Sequence, residues 1–74
     1  PEPIDDWRKI EIGRHGMTVT KNGRSAVFLP QVAPEQGWTL EQTLSQLCLK
    51  AGLRPDDFRS GATFTVFEAI VFSE

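Results

Sequence analysis

Lys21-Asn22-Gly23-Arg24 is the stretch that decides the fold. Asn-Gly suits the two positive-φ positions of a type I′ turn, whose twist matches the antiparallel strands on either side. A two-residue loop sets Lys21 opposite Arg24, and hence Val19 opposite Ala26 and Met17 opposite Phe28. Side chains alternate along a strand, so these last four share one side of the hairpin while Val27 and Leu29 project from the other. The second arm, Arg24–Pro30, therefore carries apolar residues on both faces and reads as a central strand. The first arm is half-buried, with Thr18 and Thr20 on its second face.

Working outward, Ile10 and Ile12 alternate within Trp7–Ile12, which is expected to be another strand, separated from the hairpin by the flexible Gly13-Arg14-His15-Gly16. On the other side, Pro30 and Pro34 end the strand and imply an irregular loop over Gln31–Gly37. A helix follows. Thr39 serves as its N-cap and Gln42 completes a capping box. Leu40, Leu44, Leu47, Cys48 and Ala51 fall on one stripe of a 3.6-residue period. Gly52 and Leu53 fit a Schellman ending, and Pro55 bars continuation. Leu49 lies about 180° from Leu40 and should be exposed, or covered by something outside the helix-on-sheet arrangement. Arg54–Phe58 reads as a short turn with Phe58 tucked inward.

The last strand is expected over Ala62–Ser73. Phe64, Val66, Ile70 and Phe72 line one side, Thr65, Phe67, Ala69 and Val71 the other. Glu68 interrupts the first side and needs a partner or a route to water. The order β-β-β-α-β predicts an α+β domain, with a mostly antiparallel sheet of about four strands and one main packed helix. One helical stripe covers only one sheet face. The surplus apolar strand surface implies a missing neighbour, from the same original chain or from a partner such as a self-associating copy.

At 74 residues there is room for a single domain. The chain is 39% hydrophobic and 24% charged, and no apolar run approaches the roughly 18 residues of a membrane span. No basic, hydrophobic leader is present at its start, so a cytoplasmic location is expected. One cysteine cannot form an internal disulfide, and one histidine with one cysteine cannot close a zinc site. No phosphate loop, nucleophile elbow or C-x-x-C is present. The net charge is −2, yet residues 8–24 hold five bases (Arg8, Lys9, Arg14, Lys21, Arg24) against Glu11 alone. Such a segment can mark a nucleic-acid surface, but bases facing different ways along strands read first as a solvated face.

Ile12-Gly13-Arg14-His15-Gly16-Met17 and the run Phe28-Leu29-Pro30-Gln31-Val32-Ala33-Pro34-Glu35-Gln36-Gly37-Trp38 resemble the AMMECR domain family. So do Leu47-Cys48-Leu49-Lys50-Ala51-Gly52-Leu53 and the closing Val66-Phe67-Glu68-Ala69-Ile70-Val71-Phe72. In bacteria and archaea this family is called protein A of the AmmeMemoRadiSam system. The resemblance spans nearly the whole chain and corresponds to roughly the C-terminal two-fifths of the family domain. The family's Arg-Gly-Cys-Ile-Gly motif is absent and the first residue is Pro, so residues 1–74 are expected to be a single domain or a fragment lacking an N-terminal part. A Phe at position 58, where relatives often have Trp, reads as a packing swap. The resemblance supplies no reaction and no cofactor. As partners it implies that N-terminal part and, from gene neighbourhood, Memo-like and radical SAM proteins.

His15, in its Gly-flanked bend, is a candidate acid/base or a metal ligand completed by the absent part, against a plain loop histidine bonded to a carbonyl. Gln31, Glu35 and Trp38 sit in the Pro-bounded segment. There Glu35 could act as a base or ligand and Trp38 as an apolar wall, or the two could simply serve the helix start. Arg14 beside His15 completes the candidate binding set. Cys48 on the core stripe reads as a small buried hydrophobe rather than a nucleophile, since Lys50 points away from it.

Overall fold

The computed structural model describes residues 2–68, and the expectations that fall on residues 69–73 lie outside it. In chain order the elements are β1 (Glu2–Ile4), β2 (His15–Lys21), β3 (Arg24–Phe28), α1 (Val32–Gln36), α2 (Leu40–Lys50) and β4 (Thr63–Glu68), with short 3-10 turns at Trp7–Lys9 and Asp57–Arg59. The four strands form one antiparallel sheet in the order β1-β4-β2-β3. The molecule is thus α+β with one main helix, as the patterning implies.

The hairpin has the predicted register. Lys21 pairs with Arg24, Val19 with Ala26 and Met17 with Phe28, across a turn in which Asn22 and Gly23 take φ of 53° and 75°. Met17, Val19, Phe64 and Val66 turn one sheet face toward Leu44, Leu47 and Cys48 of α2, and this contact is the core. Phe58 is buried against it, and Trp7 meets Phe58 edge-on with ring centroids 5.1 Å apart.

Helix α2 starts and stops where its caps demand. The Thr39 hydroxyl accepts from the Gln42 N–H at 3.2 Å, and the Gln42 side chain accepts from the Thr39 N–H at 2.9 Å. At the other end Leu53 N–H donates to Cys48 O and Gly52 N–H to Leu49 O, with Gly52 at φ 81°, the paired bonds of a Schellman ending. Leu49 is 48% exposed, as its helical angle requires.

Three expectations are corrected. Trp7–Ile12 is not a strand: the Asp6 side chain accepts from the Arg8 N–H and winds Trp7–Lys9 into a 3-10 turn, and Ile10 reaches the core from the residue after it. The first strand is instead Glu2–Ile4, short and paired with β4. Gln31–Gly37 is not irregular but holds α1, because Pro34 falls in the first turn, where a missing N–H costs no helical bond. Finally, among the described residues β3 is an edge strand and not a central one. Its doubly apolar pattern leaves Val27 44% and Leu29, just past its end, 50% exposed.

The second sheet face is mixed rather than uniformly apolar. Thr18, Thr20, Ser25, Thr63 and Thr65 occupy its middle and its turn end. Val27 shares the middle row with Thr18 and Thr65, while Phe67 lies further from the turn, opposite Gly16, which its ring covers.

Candidate functional site

The bend before β2 places the candidates. Glu11 O accepts from both the Arg14 and His15 N–H groups, closing the turn that carries them. Gly13 at φ 87° permits this turn, and Pro34 of α1 lies against it, since a Cβ added at Gly13 would be 3.6 Å from the Pro34 ring. His15 then enters β2 opposite Glu68 of β4. Its Nδ1 accepts from the Glu11 N–H at 3.0 Å, which leaves Nε2 carrying the proton of the neutral ring.

Arg14 joins two carboxylates. Its Nη1 meets Glu11 Oε2 at 2.9 Å, and its Nε and Nη2 each meet Glu68 Oε1 at 2.8 Å. The Glu68 carboxylate first, and Glu11 with it, hold the guanidinium pKa above its ordinary value. Glu68 thus has both a partner and water, at 58% side-chain exposure. Glu2, Arg14, His15, Val66, Phe67 and Glu68 line a cleft of about 470 Å³ at this end of the sheet. It can offer a ligand one imidazole N–H and carboxylates balanced by a guanidinium, beside an aromatic ring.

The other candidates lie elsewhere. Trp38 packs on Phe28, with ring centroids 5.9 Å apart, and lines a separate groove with Glu41, Gln42, Ser45, Gln46 and Arg59. Gln31 and Glu35 are exposed, Gln31 preceding α1 without a side-chain cap and Glu35 in its first turn, and neither lines these two clefts. Cys48 is fully buried, and that burial pushes its thiol pKa up, the reverse of what a nucleophile needs. Among the described residues no three His, Cys, Asp or Glu side chains gather into a metal-sized group.

Sequence reasoning passed over Glu11 and Glu68 as the partners of Arg14. The i,i+3 spacing of Glu11 and Arg14 was a usable signal, whereas the approach of Glu68 depends on a strand order that the sequence does not state. Four of the five bases of the basic segment are matched by acids, Arg8 with Asp6, Lys9 with Asp5, Arg14 with Glu11 and Glu68, and Lys21 with Asp57, while Arg24 reaches the Gly52 carbonyl instead. No helix of the described residues is long and apolar enough to cross a membrane.

Comparison with known proteins bears on the same geometry. Protein MK0488 of Methanopyrus kandleri is 54% identical over 73 residues, covering 97% of this chain and 35% of its own length. A protein of Methanosarcina mazei is 42% identical over 74 residues, covering the whole chain and 36% of its own. The crystal structure of the uncharacterized protein PH0010 from Pyrococcus horikoshii superposes with a TM-score of 0.84 at 39% identity, over 92% of this chain and 36% of that one. The chain therefore spans little more than a third of the length of these relatives. The AMMECR1 family model matches residues 1–72, and the chain belongs to the AMMECR1 family.

Proposed function

We propose that this segment is a scaffold and interaction surface within an AMMECR1 protein. In this reading its sheet forms one wall of a cleft whose other wall comes from the portion of the family chain outside the matched length. The observation that carries the reading is the exposed apolar surface along β3, where Val27 is 44% and Leu29 50% exposed, with Phe67 on the same sheet face across β2. Exposed apolar area on an outer strand suits a packing partner better than water, and the His15 cleft opens at the end of the sheet away from the hairpin turn.

The test compares two chains. In the 74-residue chain, Val27→Lys with Leu29→Lys should change stability by no more than about 0.5 kcal/mol, as exposed positions do. Lysine at the two aligned positions of full-length MK0488 should cost about 3 kcal/mol or more, because a buried charge is left without a partner. Equal, small effects in both proteins would remove the reading.

A second reading is favoured by the His15 hydrogen bond. With Nδ1 held as acceptor, the imidazole presents a fixed N–H donor at Nε2 beside Arg14 and Glu68. On this reading the intact domain handles a substrate or cofactor alongside Memo-like and radical SAM proteins, with His15 and Glu35 contributing. Alanine at the aligned positions of a full-length relative should then lower product formation or retained metal. Unchanged values would remove both residues from any such role. Nucleic-acid binding is disfavoured by the carboxylate matched to each of Arg8, Lys9, Arg14 and Lys21.

A further inference from the structure

The geometry points to the edge of β3, which no strand of the described residues pairs, as a docking edge for an extended strand supplied by the unmatched portion of the AMMECR1 chain, with Lys50 as its guard. This rests on the reading that the same portion covers the exposed apolar side chains of β3, and it adds how that portion attaches.

The argument starts from the turn. A two-residue loop makes Lys21 and Arg24 a hydrogen-bonded pair, and pairs alternate along an antiparallel ladder. Thr20–Ser25 and Thr18–Val27 are then the non-bonded pairs, so the N–H and C=O groups of Ser25 and Val27 point away from β2. With β3 outermost in the sheet, they point off its edge. The Val27 carbonyl already takes a substitute partner: the Lys50 ammonium donates to it at 2.8 Å and sits 5.2 Å from the Phe28 ring centroid. A lysine laid along an outer strand is a common way to discourage unwanted pairing. One hydrogen bond from an exposed, flexible stem is easily exchanged for a backbone partner.

Three further observations favour a strand as the occupant. The opposite edge, β1, has three residues and includes Pro3, which lacks an N–H, so β3 is the edge with a usable length of ladder. Val27 and Leu29 project beside that edge, where alternate side chains of an added strand would meet them. Relatives carry roughly twice as much chain again outside the matched length, since the match covers 35–36% of the relatives described above.

Amide hydrogen exchange on two proteins tests the proposal. In the 74-residue chain the Ser25 and Val27 amides should exchange at least tenfold faster than that of Ala26, whose N–H faces β2. In full-length MK0488 the amides aligned with Ser25 and Val27 should be as slow as that aligned with Ala26. Fast exchange there, together with a large cost for the buried lysines described above, would overturn strand docking and leave the covered face standing. Fast exchange with no such cost would remove both. For the guard, Lys50→Met keeps the stem over Phe28 but loses the donor. This variant should self-associate with rising concentration in sedimentation experiments, and adding Ser25→Pro should return it to monomer. A Lys50→Met chain that stays monomeric throughout overturns the guarding role.

Discussion

Gly16 lacks a side chain because Phe67 occupies the place one would take. A Cβ added there would fall within contact radius of the Phe67 ring atoms Cζ and Cε2. Gly16→Ala should therefore cost about 1–3 kcal/mol in urea denaturation. Combined with Phe67→Ala it should be non-additive, because the ring is what the methyl group meets. Asp57 makes a different single-residue case. Its carboxylate accepts from the Arg54 N–H at 2.9 Å and from Lys21 Nζ at 3.1 Å, and these bonds, the backbone one first, hold its pKa below the ordinary value. A carboxyl whose pKa is lower folded than unfolded stabilises the fold above its unfolded value of about 4. That contribution fades as pH falls through the folded value. Asp57→Asn should lower the Tm at pH 7 and leave a shallower fall in Tm below about pH 4; an unchanged acid limb would separate Asp57 from acid stability. At this scale the sequence was read unevenly. That Glu68 needed a partner or water was visible from its place in an apolar strand face. That Arg14 supplies the partner was not, because the Arg14–Glu68 contact spans 54 residues and depends on pairing between β2 and β4.

Local chemistry decides the elements, and where it is explicit the sequence can be read directly. Thr39 and Gln42 cap α2 reciprocally, and Gly52 and Leu53 close it. Thr39→Ala removes the acceptor for the Gln42 N–H and should cost about 0.5–2 kcal/mol. Thr39→Asp should restore most of that stability, and a failure of Asp to do so would mean that the hydroxyl acts through something other than the cap. The hairpin register follows from Asn22-Gly23 for the same reason: both positive-φ positions fall on residues that accept them. The misread elements share a cause, which is a local signal overridden by its position. Pro34 breaks a helix interior but not a first turn. Ile10 and Ile12 alternate, yet the Asp6 cap bends the chain before a strand can form. Val27 and Leu29 look like the second face of an inner strand, but inner or outer placement is a property of the sheet and not of the segment.

For the 74-residue chain as a unit, size sets the terms. For a 74-residue chain folding by itself, about 4–11 kcal/mol of stability is expected at 0.05–0.15 per residue. Its core is one contact layer in which Met17, Val19, Leu44, Leu47 and Cys48 are each at most 2% exposed. Leu47→Ala, which opens a cavity under α2, should cost about 2–5 kcal/mol. That is a large part of the total, and Cys48 reports it. The thiol is fully buried beside Leu47 on the same helix face, and burial raises its pKa, so little thiolate forms while the fold is closed. Reaction with a thiol reagent at neutral pH should then require the whole core to open. Its rate should rise with urea along the global unfolding curve. Leu47→Ala should accelerate it roughly 30-fold to several-thousand-fold, the same free energy expressed as a population. An unchanged labelling rate in a variant of proven lower stability would mean that Cys48 is reached by a local movement of α2. The single-layer core would then not open as one unit.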